Sequence, residues 1–89
     1  MQTVFERDDV RYLRWKDEHP NGYVLNLLGT YAMLHSSSCY ETKKLSYNAG
    51  KINPLTGRYI KVCGDNVDEL ILWMERNHAG VEMRRCKKC

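Results

Sequence analysis

The clearest hydrophobic pattern in the chain is helical. In DNVDELILWMERNHAG, Val67, Leu70, Ile71 and Met74 recur at i, i+3, i+4 and i+7, which lines one face of a helix. Asn66 and Glu69 stand in front of that run at capping-box spacing, and Gly80 follows it as the expected C-cap. Three other stretches carry strand signatures. YVLNLLG, from Tyr23 to Leu28, comes after the turn chemistry of Pro20, Asn21 and Gly22. TYAML comes after Gly29, too soon for a crossover, and therefore pairs antiparallel with the first strand. In RYIKVC, Tyr59, Lys61 and Cys63 alternate with Ile60 and Val62, and Cys63 reads as the buried end of a strand.

At the N-terminus, Thr3 and Glu6 have capping-box spacing and Asp8 and Asp9 suit a helix start, so a first helix is expected from Val4 or Asp8 to Glu18, stopped by Pro20. After Cys39, YETKKL reads as a short helical piece and YNAGKINPLTGR as a long exposed loop punctuated by Gly50, Pro54 and Gly57. VEMRR reads as a short extended segment that delivers the chain end. The expected architecture is α+β: an N-terminal helix, a three-stranded and mainly antiparallel sheet, a C-terminal helix and a CxxC knuckle, within one domain over residues 1–89. No internal repeat or low-complexity tract interrupts it.

Length changes the picture next. A chain of 89 residues buries only about 60 to 65 % of its unfolded surface, so its apolar core is marginal and a staple is expected. No apolar run approaches the ~20 residues that span a bilayer. The opening MQTVFERDDV has acidic residues where an export signal would have a basic one followed by an apolar run, so a reducing cytoplasm is expected. In that compartment, closely spaced cysteines point to a metal before they point to disulfides.

Two half-sites satisfy the metal reading. Cys86 and Cys89 form a CxxC turn, and His35 and Cys39 in MLHSSSC stand four positions apart at a strand end. Together they offer one imidazole and three thiolates, a set that suits tetrahedral zinc. Other readings stay open: Cys39 as a small buried hydrophobe, His35 as a surface imidazole, Cys86 and Cys89 as a redox dithiol. Cys63 is a fifth candidate, read here as core filler and not as a ligand.

The order strand, H-x3-C, connecting region, strand, helix containing DEL and terminal CxxC resembles the small zinc domain at the N-terminus of the Ada DNA-repair methyltransferase, over about Tyr31 to Cys89. The segments YLRW, PNGYVLN, MLHSSSC, KVC, DELILW and CKKC also resemble, more loosely, a bacterial domain found alone or beside HNH-type nucleases. In the Ada family the metal-bound cysteines fix the fold and one of them takes a methyl group from a DNA phosphotriester. That acceptor stands at the first ligand position, which is His35 in this chain. An imidazole lacks the thiolate that alkyl transfer needs, so the resemblance implies a structural zinc site and not the methyltransferase activity. The stretch from Cys39 to Cys86 is also longer than in that family, with NAGKINPLTGR as the insertion.

Charge adds one more hint. The formal net charge is +3 with neutral thiols, and three cysteinates with one Zn²⁺ would bring it to about +2. So mild a balance does not imply a nucleic-acid partner, but its distribution is suggestive. Arg7, Arg11 and Arg14 would form one basic stripe on the first helix, and Arg84, Arg85, Lys87 and Lys88 bracket the terminal ligands. Both groups are candidate phosphate contacts; both could equally be solvated cations, the second set offsetting a negative zinc–thiolate centre. Tyr12, Trp15, Tyr23 and Trp73 read as core before they read as base-stacking residues.

No Ser-His-Asp set, P-loop, HExxH or dinucleotide fingerprint is present, and four protein ligands leave zinc no open position, so an enzyme is not expected. His19 and His78 read as surface histidines with no partner assigned. Two function classes remain. One is a zinc-stapled nucleic-acid-binding module of bacterial or phage origin, an accessory to a nuclease or repair system, whose partner is either a nucleic acid, DNA before RNA, or a nucleic-acid-processing protein. The other is a protein-interaction module, such as a phage or plasmid inhibitor of a host enzyme, in which zinc only holds the fold.

Overall fold

A computed structural model describes residues 2–43 and 50–89. Its elements in chain order are β1 (Thr3–Phe5), α1 (Asp9–Glu18), β2 (Tyr23–Leu27), β3 (Tyr31–Ser36), a 3₁₀ turn (Tyr40–Lys43), β4 (Lys61–Gly64), α2 (Val67–Asn77) and β5 (Glu82–Arg85). The fold is α+β, as expected. Its sheet has five strands in the order β1-β4-β2-β3-β5, where three were expected. The two additions are the edges. β1 pairs antiparallel with β4, Thr3 opposite Cys63, and β5 pairs parallel with β3, Met33 opposite Arg84. Strands of three and four residues are too short to show a period of two, and β5 is largely exposed, so neither carries a hydrophobic pattern.

The centre of the sheet matches the pattern reading. β2 and β3 form a hairpin across Gly29, whose φ of +94° suits the first central position of a two-residue turn. β4 lies antiparallel against the other side of β2. Register divides the side chains between two faces. Leu25, Ala32, Leu34 and Val62 point one way and pack under Leu70 and Met74 of α2. Phe5, Val24 and Cys63 point the other way and pack with Tyr12 and Trp15 of α1 and with Leu55.

The helix caps settle the boundaries. Asn66 caps α2 by accepting from the Glu69 N–H at 3.0 Å while its amide donates to the Glu69 carboxylate at 3.0 Å. At the other end the cap is His78, and Gly80 (φ +88°) instead occupies the third position of a turn closed by the Val81 N–H on the His78 carbonyl. α1 starts at Asp9 behind an Asp8 cap, whose carboxylate accepts from the Arg11 N–H. The Thr3 and Glu6 spacing is thus not a capping box: Thr3 is committed to the sheet. Most of YETKKL forms the 3₁₀ turn, while Lys44 and Leu45 lie outside the described residues, as do Tyr47, Asn48 and Ala49 of the expected loop. The rest of that loop is not wholly exposed, because Leu55 and Thr56 are buried against α1.

Candidate metal centre

The four expected ligands meet on the α1-facing side of the sheet, at its β3–β5 edge. His35 lies in β3 opposite Val24, and Val24 in turn lies opposite Cys63. The same parity therefore aims His35, Val24 and Cys63 at one face, with two strand spacings of about 4.8 Å between the histidine and Cys63. Cys39 sits in the turn that leaves β3, where its N–H donates to the Ser36 carbonyl at 3.1 Å. Its own carbonyl accepts from the Thr42 N–H at 3.1 Å and the Thr42 hydroxyl at 2.6 Å, which fixes the start of the 3₁₀ turn. Tyr12, fully buried in α1, then clamps that turn from below by donating its hydroxyl to the Thr42 carbonyl at 2.9 Å.

β5 brings in the second half-site. The parallel ladder with β3 continues one step beyond the strand, where the Cys86 N–H donates to the Leu34 carbonyl at 2.9 Å. That bond anchors the CxxC turn, and Cys89 then folds back so that its sulfur stands 3.5 Å from His35 Nδ1. One donor atom from each of His35, Cys39, Cys86 and Cys89 lies within 4.8 Å of the others, so the four lie close enough to hold a metal ion. His35 and Cys39 are buried, Cys86 half-buried and Cys89 exposed. Burial lowers the His35 pKa; Glu41 opposes the shift, and Lys61 and Lys16 reinforce it. A neutral imidazole keeps a lone pair for a metal.

Cys39 and Cys89 are joined as a disulfide, with Cα atoms 5.1 Å apart, and Cys63 and Cys86 are free thiols. A tetrahedral ion with Zn–S bonds of about 2.3 Å would hold two thiolates about 3.8 Å apart. Disulfide and four-ligand centre are therefore two alternatives of one cluster, the second requiring the pair to be reduced. Cys63 takes no part in either. It is fully buried in β4, and burial pushes its thiol up to about 12, the behaviour of core filler.

The two expected basic groups fare differently. Arg7 is not on the helix: it precedes the Asp8 cap at φ +53°, so the stripe of three does not form. Arg11 and Arg14 remain on α1, Arg11 standing 3.8 Å from Asp8. Of the four terminal cations, Arg84 pairs with Glu82 at 2.8 Å and lies 4.2 Å over the Tyr31 ring, while Lys88 stands 3.4 Å from Glu41. Arg85 and Lys87 pair with no acid among the described residues. With Met33, His35, Glu41 and Cys86, these four cations line an open groove of about 810 Å³ beside the ligands. Glu41 was missed from sequence, although its place two residues after Cys39 marks it as a neighbour of the ligands.

The four aromatic residues weighed against base stacking are structural, as expected. Tyr12 and Trp15 are buried, and Tyr23 and Trp73 pack on the α2 side. His19 does have a partner, contrary to the sequence reading: its ring stacks on Trp15 and its Nδ1 lies 2.8 Å from Asp65. His78 lies against Trp73. No described helix is long and apolar enough to cross a membrane. Comparison of the chain with models of known protein families, with curated proteins and with solved structures found no match in any of the three.

Proposed function

We propose that this domain is a zinc-stapled nucleic-acid-binding module in which the metal is structural and the cations beside it contact phosphates. The observation that carries the reading is the convergence of three sulfurs and one imidazole from the middle and the end of the chain beside a cationic groove. Soft donors of this kind select zinc over hard cations. A reducing cytoplasm of a bacterial or phage host suits the open form of the cluster, and the resemblance to the Ada-like zinc domain supports the same ligand order. The exposed Arg85 and Lys87, unpaired among the described residues, are the main candidates for phosphate contact; Arg84 and Lys88 would exchange Glu82 and Glu41 for a stronger anion. DNA is favoured over RNA through that resemblance alone.

A second reading has one observation in its favour. Between the end of α2 and β5, Ile71, Met74, Val81 and Met83 line a recess of about 230 Å³, an apolar surface suited to a protein partner. The two readings separate by experiment. Protein purified under reducing conditions should carry one zinc per chain by elemental analysis, lost in His35→Ala and Cys39→Ser and kept in Cys63→Ser. Zinc-loaded protein should bind oligonucleotides with an affinity that falls steeply with salt. Changing Arg84, Arg85, Lys87 and Lys88 to Ser should flatten that slope by about 0.7 to 0.9 for each phosphate that is no longer neutralised. A metal-free reduced protein refutes the zinc; a zinc protein with no salt-sensitive binding refutes the nucleic acid and leaves the protein-interaction module.

A further inference from the structure

A second positive recess lies away from the metal centre. Arg7, Lys51 and Arg58 line a pocket of about 480 Å³ together with Ile52, Asn53 and Gly57, and no acidic side chain lines it. None of the three cations has an acidic partner among the described residues; Arg58 lies only over its neighbour Tyr59, 5.3 Å from the ring centroid. All three are exposed, and cations gathered around one recess repel one another unless an anion sits between them.

Asp9, two residues after Arg7, has been turned to another task. Asp9 commits its carboxylate to the loop behind the pocket, accepting from the Leu55 N–H at 2.9 Å, the Thr56 N–H at 2.8 Å and the Thr56 hydroxyl at 2.6 Å. The Asp9 N–H donates in return to the Asn53 side chain at 3.0 Å. The loop closes on itself where the Gly57 N–H donates to the Asn53 carbonyl at 2.8 Å, a contact so close that a Cβ at Gly57 would stand 2.7 Å from that oxygen. The floor of the recess, from Asn53 to Gly57, is therefore held in place. Arg7 is held at its rim in the left-handed region, φ +53°, by its N–H donating to the Thr56 carbonyl at 3.0 Å. An arginine in that conformation is strained, and strain of this kind collects where a side chain is needed in one place.

We infer that the Arg7, Lys51 and Arg58 recess is a binding site for a terminal phosphate or diphosphate. The charge density selects the ligand: a phosphate monoester or diphosphate brings two or more negative charges into a concavity, whereas the phosphodiesters of a duplex carry one each on a convex surface. Arginine's fork suits the oxygens of such a group, and the preformed loop spares the ordering that a flexible one would need. The site uses none of the metal ligands and stands whether or not the zinc reading does. Two sources present the same chemistry: a free phosphorylated small molecule, or the phosphorylated end of a nucleic-acid strand.

The test uses the full chain and pyrophosphate as probe. Titration should move the amide resonances of Arg7, Gly57 and Arg58 in a saturable way, with AMP acting similarly and adenosine not at all. Lys51→Gln and Arg58→Gln should each weaken pyrophosphate about tenfold, the factor expected for one charge-assisted contact. Arg7→Asn should weaken it as much while leaving the melting midpoint unchanged or higher, because asparagine tolerates the left-handed conformation better than arginine does. An oligonucleotide that binds about tenfold more tightly with a 5′-phosphate than with a 5′-hydroxyl assigns the site to a strand end; equal binding of the two, with AMP still saturating, assigns it to a free small molecule. Absence of a saturable response to pyrophosphate, or a response unchanged in the three variants, overturns the site.

Discussion

The two faces of the sheet are built from different chemistry. On the α2 side the buried set is Leu25, Ala32, Leu34, Val62, Leu70 and Met74, with no buried polar side chain among them. On the α1 side the buried residues include Lys16, His35, Ser37, Thr42, Thr56 and Lys61 beside Phe5, Tyr12, Trp15 and Cys63. Burial of apolar surface stabilises without direction, while each buried polar group has to be matched to a partner placed for it. One face can therefore hold the fold while the other holds a defined set of groups in place. The ligand cluster and the phosphate recess both draw on the polar face, through His35 in one case and through the Thr56 loop in the other.

If the α2 face holds the fold, damage there should be global. Leu70 is fully buried between α2 and the sheet, so Leu70→Ala removes transfer energy and leaves a cavity, at a cost of about 4 kcal/mol. Chemical denaturation should show one cooperative transition at a much lower midpoint, and the loss should appear whether the cysteines are oxidised, reduced or metal-loaded. A cost below about 1 kcal/mol would mean that the α2 face is not the principal core.

Damage to the cross-linked edge should be smaller and local. Cys39 and Cys89 are 50 residues apart, and closing a loop of that length removes unfolded-state entropy worth up to about 4 kcal/mol, of which engineered and natural cross-links commonly return about 2. Cys89→Ser should remove that contribution and release β5 before anything else. Hydrogen exchange is the readout: the Cys86 N–H, bonded to the Leu34 carbonyl, should lose protection while the amides of α2 keep theirs. Equal loss of protection across both would erase the distinction between the faces.

The contrast also explains what could be read from the sequence. α2 was legible because Val67, Leu70, Ile71 and Met74 repeat a helical period behind an Asn66 cap, and burial on a purely apolar face enforces that period. The ligand cluster was legible because His35 and Cys39 are neighbours across one turn and Cys86 and Cys89 across another. The alternation in RYIKVC likewise put Cys63 in the core. What failed was non-local. Thr3 pairs with Cys63, sixty positions away, and although Thr3, Val4 and Phe5 favour strands, three residues are too few to outweigh a local capping rule, which claimed Thr3 and carried Arg7 into a helical stripe that does not exist. The parallel pairing of β5 with β3 hid in the charged run EMRR for the same reason. Arg7, Lys51 and Arg58 come together only once the Asp9-bonded loop is folded.

The smallest expected effect tests whether the polar face is a compromise. Lys16 is 3 % exposed, its ammonium has no hydrogen-bond partner among the described residues and stands 5.6 Å over the Tyr12 ring, and burial, reinforced by Lys43, lowers its pKa to about 8. Lys61, also brought down to about 8 by burial, donates to Asn26 at 2.8 Å. Below about pH 8 both lysines are protonated folded and unfolded, and the folded state bears the whole penalty of burying them. Above about 8 the folded chain releases protons that the unfolded chain holds until about 10.5, so stability rises with pH. Cys63 works in the opposite direction: lifted to about 12 from 9.0, it keeps a proton that the unfolded chain releases, so its own contribution to stability falls once pH passes about 9. The rise should therefore be steepest between about pH 8 and 9; above that, the proton kept by Cys63 offsets only one of the two released by the lysines, and the slope is roughly halved. Lys16→Met, which keeps the stem and deletes the charge, should raise stability at pH 7 by on the order of 1 kcal/mol and flatten the rise. Lys61→Met should gain less, because it strands the Asn26 carbonyl oxygen. Denaturation midpoints at pH 7, 8 and 9 decide it, with the oxidation state and any metal content of the cysteine cluster held constant across the series. A Lys16→Met midpoint no higher than the parent's, with an unchanged pH slope, would show that the buried ammonium is already compensated and that the two faces differ less than their composition suggests.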